Sequence, residues 1–439
     1  MLQRMEGAEF EQRETAQAGF PGPLRITIAD DLDRSRLTVF FRLLLAIPHL
    51  IWLALWGILM FFVAIVNWFA VLFTARSIAT DLIERYLRYT THVWAYVGLA
   101  ADPFPGFTGD PGSYPIDLEI REPAEQNRWT AAFRLILAIP ALLIVGALAS
   151  FAAGYTGDDT QQTASYSAGV IATAAFLGWF VALFTGRMAE GLRDLIAYGV
   201  GYVAQTHSYM LLYSDRYPST DPLAIDYPGP ARDHPIRVAV SDDLRRSRLT
   251  VFFRLLLAIP HFIWLALWSI AIFFALIGQW FFTLFAGRPA EPLHGFIAAY
   301  LRYSTHLGAY VYLVANPFPG FVGEAGSYPV DLEIAPPAPQ HRAITFFRLI
   351  LAIPAWAVAG ALGTVFLFVG LFGWFVGLFT GRMPEGLRNL GAYALRYSAQ
   401  AGAYVMLLTD SYPYASPRLE RAAPPAAPPA PLPGADPAV

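Results

Sequence analysis

Apolar positions along this chain cluster into four blocks of one design. From Leu43 to Ala75 thirty-three residues pass without a formal charge, and an arginine stands at each end, Arg42 and Arg76. The block returns between Arg134 and Arg187, between Arg254 and Arg288, and between Arg348 and Arg382. A proline follows the first arginine by six residues each time (Pro48, Pro140, Pro260, Pro354). A tryptophan precedes the second by eight (Trp68, Trp179, Trp280, Trp374). An uncharged run of that length exceeds the roughly 20 residues that span a bilayer. The pattern predicts a polytopic membrane protein built from four copies of one unit.

A single helix of 33 residues would be about 50 Å long against a hydrocarbon core of about 30 Å. The second block carries a polar insertion, Gly154 to Ser165 with Asp158 and Asp159, in its middle. Such a segment belongs in water. Each block is therefore expected to be a helical hairpin, eight short transmembrane helices in all, with one long tilted helix per block as the alternative. The arginines lie outside the blocks, which places the termini and inter-repeat segments in the cytoplasm of a bacterial inner membrane.

Each block is followed by an amphipathic stretch: Thr80–Ala100, Glu190–Tyr213, Glu291–Ala315 and Glu385–Thr409. In the first, Asp81, Glu84, Arg85, Arg88 and His92 share one helical face, and Leu82, Ile83, Leu87, Trp94 and Val97 the other. These are expected to lie in the membrane interface, or else to pack on the hairpins as buried helices. Short alternating runs open the repeats (Leu24–Ile28, Tyr114–Ile120, Pro235–Val240, Tyr328–Ile334) and read as strands that could join in one small sheet.

The expected fold is thus an all-α membrane protein with short strands and an internal duplication. Its divisions are a disordered segment 1–23, repeats at 24–113 and 114–218, a linker 219–234, repeats at 235–327 and 328–413, and a Pro/Ala-rich disordered tail 414–439. Residues 1–23 have no apolar core, so the first block is expected to target the chain.

The duplication has two levels. Residues 30–56 and 242–268 agree at 25 of 27 positions. Repeats 1 and 3 share a histidine after the proline (His49, His261) and an amide before the tryptophan (Asn67, Gln279). Repeats 2 and 4 carry Ala141, Ala355, Gly178 and Gly373 there. A two-repeat unit has been doubled, which predicts halves related by a pseudo-twofold axis.

The recurring R-L-[LI]-L-A-I-P, W-F-x-x-L-F-[TA]-[GA]-R, [PA]-E-G-L-R and L-L-x-[SD]-x-x-Y-P elements resemble a bacterial membrane family, domain of unknown function four-three-eight-nine. The resemblance covers nearly the whole chain outside the termini. It implies a small helical membrane module and no activity. Repeat 1 departs from it with Ser77-Ile78-Ala79-Thr80 in place of Pro-Glu-Gly.

Composition narrows the chemistry. Only 14% of residues are charged, all thirty basic residues are arginine, and there is no cysteine. Thiol catalysis and cysteine-ligated metals are excluded. No acidic or basic residue falls inside a spanning arm, and no phosphate loop, nucleophile motif or dinucleotide fingerprint occurs. Arg76, Arg187, Arg288 and Arg382 stand beside helix starts and are candidate contacts for anionic lipid, with plain helix termination as the simpler reading. Arg42, Arg134, Arg254 and Arg348 either snorkel to the interface or form a ring that binds an anion. Asn67 and Gln279 suit interhelical hydrogen bonds. His49, His92, His261 and His306 are weak candidates for a metal or haem, and no cofactor is expected.

These features point first to a non-catalytic membrane scaffold or accessory subunit that touches lipid and a protein partner, with no nucleic acid. The alternatives are a passive carrier, flippase or channel for a lipid or small apolar solute, and a haem- or metal-binding membrane protein.

Overall fold

The computed structural model describes residues 20, 22–149, 151–156 and 163–419. The apolar blocks are not hairpins. The first is one helix, α1 (Arg36–Thr74), and the third is one helix, α8 (Arg248–Ala286). The fourth is α10 (Arg342–Leu351) and α11 (Ile353–Thr380), parted only at Ala352 ahead of Pro354. Nothing in the middle of these blocks interrupts the i→i−4 ladder. Pro48 and Pro260 lie inside α1 and α8 without ending them. Removal of one backbone donor is tolerated where neighbouring structure holds the helix.

The second block is also one helix in four segments, interrupted by its polar insertion. Its helix runs through α3 (Arg128–Ala132), α4 (Arg134–Leu137), α5 (Ile139–Ala149) and α6 (Val170–Thr185). The insertion between α5 and α6 is a β-hairpin, β3 (Phe151–Thr156) with β4 (Thr163–Ala168). Because Phe151 pairs with Ala168, the chain leaves and re-enters the helix at one level. The hairpin tip at 157–162, with both aspartates, lies outside the described residues. The buried positions of α5 and α6 (Ala141, Ile144, Ala147, Leu148, Val170, Ala174, Gly178, Ala182) continue one stripe. That stripe is the same as in uninterrupted α11 (Ala355, Val358, Ala361, Leu362, Val365, Val369, Gly373, Gly377). The insertion marks a bulge in a helix, not a turn between two.

The long helices form a row. α1 and the α3–α6 helix run antiparallel and exchange tryptophan contacts: Trp68 Nε1 donates to Ala131 O, and Trp179 Nε1 donates to Val39 O, each at 3.0 Å. α8 and α10–α11 do the same through Trp280 to Thr345 O and Trp374 to Val251 O. α11 also packs on α5 and α6, which joins the halves. Three of the helices, Arg36–Thr74, Arg248–Ala286 and Ile353–Thr380, are long and apolar enough to cross a membrane.

The amphipathic segments make a second layer beneath this row: α2 (Thr80–Val97), α7 (Glu190–Met210), α9 (Glu291–Val311) and α12 (Glu385–Val405). α2 packs on α1 and α7, and α9 on α8 and α12. They are packed helices, the second of the two expected arrangements, because neighbours cover both faces. In α7, Leu195, Ile196, Tyr198 and Tyr202 are all buried. Strands cover the far side, in two separate antiparallel pairs in place of one sheet. β1 (Leu24–Ile28) pairs with β2 (Ile116–Ile120), and β5 (Ile236–Val240) pairs with β6 (Val330–Ile334). The segment expected to be a loose tail is packed as far as it is described: Tyr414, Ala415, Ser416 and Arg418 are buried.

Exposed large apolar side chains concentrate on the long helices. In α1 the buried stripe is Val39, Arg42, Ala46, His49, Met60, Asn67 and Val71. Its 3–4–7 spacing puts those residues on one face. The opposite arc, with Leu43 73% and Phe73 76% exposed, turns away from the second layer.

Candidate functional site: buried arginine staples and the junction between halves

Arg42, Arg134, Arg254 and Arg348 are 1–2% exposed. They do not snorkel, and they form no common ring, because each reaches the C-terminus of its own repeat's second-layer helix. Arg42 Nη1 donates to Tyr96 O and Ala101 O at 2.8 and 2.7 Å. Arg254 takes Tyr310 O and Ala315 O, and Arg348 takes Tyr404 O and Thr409 O. Arg134 takes Ser214 O at 2.9 Å. Each guanidinium also lies over a tyrosine of the same helix, 4.0–4.8 Å from the ring centre for Arg134–Tyr209 and Arg348–Tyr404. A cation at a helix C-terminus meets the negative end of the macrodipole, and the planar fork satisfies two carbonyls at once.

A second donor stands eight residues before each staple. Arg34 Nε donates to Leu99 O, Gln126 Nε2 to Leu212 O, Arg246 Nε to Leu313 O and Gln340 Nε2 to Leu407 O. These four leucines share a left-handed backbone, with φ of 65°, 55°, 60° and 62°. For a residue with a Cβ that conformation costs about 1–2 kcal/mol, and the donors hold it. An acidic or amide side chain three residues on closes the motif. Asp102 pairs with Arg42, Asp215 with Arg134, Asn316 with Arg254 and Asp410 with Arg348. Asp102, Asp215 and Asp410 also accept from the backbone N–H at the start of the long helix, at Ser35, Asn127 and His341. The pattern L-x-x-[DN] is visible in the sequence, whereas the donor eight residues upstream of each arginine alternates between arginine and glutamine and carries no common local signal.

The remaining candidates fall in different places. Arg76, Arg187, Arg288 and Arg382 are exposed and follow left-handed helix ends at Ala75, Gly186, Gly287 and Gly381. Arg76 pairs with Glu125 and Arg187 with Asp33. Asn67 Nδ2 donates to Leu211 O at 2.7 Å and to Ser77, while its Oδ1 accepts from Ile78 N–H. Gln279 Oε1 accepts from Ala290 N–H. In repeats 2 and 4 the glycine there leaves room for a methionine: a Cβ on Gly178 would lie 2.5 Å from Met188 Cε.

The histidines do not converge. His49 Nδ1 meets Tyr89 Oη at 2.8 Å and stacks on Phe107, and His261 does the same with Tyr303 and Phe321. His92 Nε2 instead meets Asp117 Oδ1 at 3.0 Å, and His306 meets Asp331 at 2.6 Å. Asp117 further accepts from Arg88 and from the N–H groups of Gly112 and Leu118. Burial works to raise its pKa. The bonds from His92, Leu118 and Gly112 outweigh that and hold it below the ordinary value of 3.8. These bonds tie the turn at Gly112 and strand β2 to α2. Among the described residues no group of three or more His, Asp or Glu is arranged to hold a metal ion.

The densest buried charge lies where the halves meet. Asp194, fully buried, accepts from Arg193 Nε at 2.8 Å and from Ser416 Oγ at 2.6 Å, with Arg418 Nη2 at 3.2 Å. Arg193 continues to Asp30, and Arg418 to Glu190 and the carbonyls of Pro228 and Gly229. The pseudo-symmetric bond is Asn389 Nδ2 to Asp221 Oδ1 at 2.9 Å. Tyr198 Oη donates to Thr220 O, and Tyr393 Oη to Ala415 O. Segments 217–224 and 412–419 thus each lie on their own half and bond across to the other. The glycine of the E-G-L-R motif permits the crossing. A Cβ on Gly191 would sit 3.0 Å from Ala415 N and Ser416 N, and one on Gly386 would sit 2.9 Å from Thr220 Oγ1.

Two cavities accompany these networks. One of about 720 Å³ lies on the seam between halves, bordered by Pro140, Ile144, Tyr202, Tyr217, Phe372 and Phe375. Another of about 420 Å³ lies within the first half, among α2, α5, α6 and α7.

No curated protein and no solved structure matches the chain. A family model described as Domain of unknown function (DUF4389) matches residues 36–108, 164–220, 248–322 and 342–416, one span in each repeat. The second span begins in β4, after the tip of the insertion. The chain belongs to this DUF4389 family, as four tandem copies of its domain.

Proposed function

We propose that the protein is a non-catalytic membrane scaffold whose long helices lie within one leaflet and whose second layer meets a protein partner in the aqueous phase. The observation that carries this reading is the separation of surfaces. Apolar exposure sits on the outer arcs of the long helices, and charge sits behind the second layer, in Arg25–Glu119, Arg85–Asp110 and Arg237–Glu333. A 39-residue helix is about 58 Å long, nearly twice the hydrocarbon thickness. α2 and its neighbouring loops follow α1 from Arg42–Tyr96 near one end to Asn67–Ser77 near the other. Were α1 to cross the bilayer, that charged layer would enter hydrocarbon with it, at a cost of several kcal/mol per ion. Lying in the plane, the helices bury their apolar arcs as a monotopic protein does. Arg76, Arg187, Arg288 and Arg382 at the helix ends then reach anionic headgroups. The arginine-rich flanks favour the cytoplasmic leaflet of a bacterial inner membrane.

The multi-pass arrangement competes through the three helices long and apolar enough to cross. The passive-carrier reading draws on the cavity at the seam, whose border is mainly proline and aromatic. Extraction of the full chain from its native membrane in mild detergent, followed by native mass spectrometry, tests the scaffold. A stoichiometric protein partner is expected. Its absence, together with lipid scrambling by the purified chain in vesicles, would replace the scaffold by the carrier.

A further inference from the structure

The two halves repeat each other closely, yet they differ at one place between the second layer and the long helices. In the first half a space of about 420 Å³ opens among Trp94 and Gly98 of α2, Ile171 and Ala172 of α6, and Val203 and His207 of α7. That volume falls within the roughly 300–1,000 Å³ typical of small-molecule sites. Its surface is overwhelmingly apolar. Of the long helices, α5 and α6 border it, through Ala149, Ile171, Ala172 and Ala175.

In the second half the equivalent positions are filled. Tyr312 stands where the first half has Gly98, and Phe366 where it has Ile171. Their rings pack with centroids 4.0 Å apart, and a Cβ on Gly370 would come within 2.7 Å of Tyr312. Polar groups differ in the same sense. Ser304 and Thr305 donate their hydroxyls to Leu301 O at 2.8 and 2.9 Å. The counterpart of Thr305, Thr91, is buried without a hydrogen-bond partner among the described residues, as is Nδ1 of His207, which replaces Gly402. Buried polar groups are normally satisfied, and the oxygens of a carboxyl or ester group on a bound molecule are partners of the kind they lack.

We propose that this cavity binds the acyl chain of a lipid or a free fatty acid, and that the second half has lost the same site to Tyr312 and Phe366. The proposal rests on the outer arcs of the long helices facing hydrocarbon, since the ligand enters from there.

The test uses the purified full chain in phosphatidylethanolamine/phosphatidylglycerol vesicles. One arm carries a diazirine-bearing stearic acid, and the other a phosphatidylglycerol with the same group on one chain. Photolysis and peptide mass spectrometry locate the adducts. The expected result is labelling of 87–98 and 200–207 beyond the general labelling of the exposed α1 and α8 arcs. The arm that labels more strongly identifies the source of the chain. Gly98→Tyr combined with Ile171→Phe should lower cavity labelling about tenfold and leave the arcs unchanged. Ala172→Phe, which fills the space without touching the helix end at Gly98, should do the same. Tyr312→Gly with Phe366→Ile should create labelling at 301–312. Labelled arcs with an unlabelled cavity, or cavity labelling that survives both filling variants, would overturn the proposal alone. Unlabelled arcs would instead overturn the membrane placement on which it rests.

Discussion

Ser416 donates its hydroxyl to the Asp194 carboxylate at 2.6 Å across 222 residues of sequence. Asn389 and Asp221 make the reciprocal bond. The two halves are therefore clasped by polar groups exchanged near the middle and the end of the described chain. Asp194→Ala removes the buried carboxylate that Arg193, Arg418 and Ser416 share, leaving Arg193 with Asp30 and Arg418 with Glu190, and is expected to cost about 3–5 kcal/mol. Ser416→Ala removes one hydrogen bond to a charged group and should cost about 1.5–3 kcal/mol. Thermal unfolding of the detergent-solubilised variants checks the order. Equal effects would mean that Asp194 is not held by its arginines.

Steric closeness at the same junction makes a second expectation. Gly191→Ala sets a methyl against two backbone nitrogens at 3.0 Å, which cannot move without shifting the segment. A loss of about 1–3 kcal/mol follows. Gly363 has nothing within 4 Å and lies inside α11, so Gly363→Ala should be neutral or stabilising by up to about 1 kcal/mol. Calorimetry of the pair decides whether glycine serves the crossing or merely tolerates it.

Arg348 contacts two carbonyls, Gln340, Asp410 and the Tyr404 ring together. Lysine offers one point charge and no plane. Arg348→Lys is expected to destabilise by about 2–3 kcal/mol despite keeping its charge. It should also speed hydrogen exchange in the last turn of α12. A variant as stable as the parent would show that charge alone, not the fork, caps the helix.

Acid should act through Asp117 and Asp331, both held below 3.8 by their hydrogen bonds against the opposing effect of burial. A carboxyl whose folded pKa is depressed adds stability above the unfolded value and loses it as pH falls through the folded value. Stability should therefore decline below pH about 4. Asp117→Asn should make the decline shallower, with lower stability at neutral pH. An unchanged slope in both Asp117→Asn and Asp331→Asn would place the acid sensitivity elsewhere.

Much of this organisation was legible in the residues. Four repeats, the pairing of repeats 1 with 3 and 2 with 4, and the helix ends at Gly186, Gly287 and Gly381 follow from local signals that act within a few residues. The hairpins did not follow, because a polar insertion signals exposure and not a reversal of direction. Phe151–Ala168 pairing closes the insertion on itself. The role of Arg42 was hidden for another reason. An arginine at the edge of an apolar run looks like an interface anchor until the carbonyls of Tyr96 and Ala101, more than fifty residues away, are seen around it. Ser416 sat in a Pro/Ala-rich stretch whose composition says nothing of the buried Asp194 that holds it.

In-plane embedding of the long helices is the central claim, and the absence of native cysteine makes it directly measurable. Ser35→Cys and Thr74→Cys mark the two ends of α1, and both positions are exposed. Each single-cysteine chain, placed in sealed inner-membrane vesicles of known orientation, is treated with a membrane-impermeant maleimide. The in-plane account predicts that both ends react from the same side. Reaction of the two ends from opposite sides would contradict it and establish that α1 crosses the bilayer.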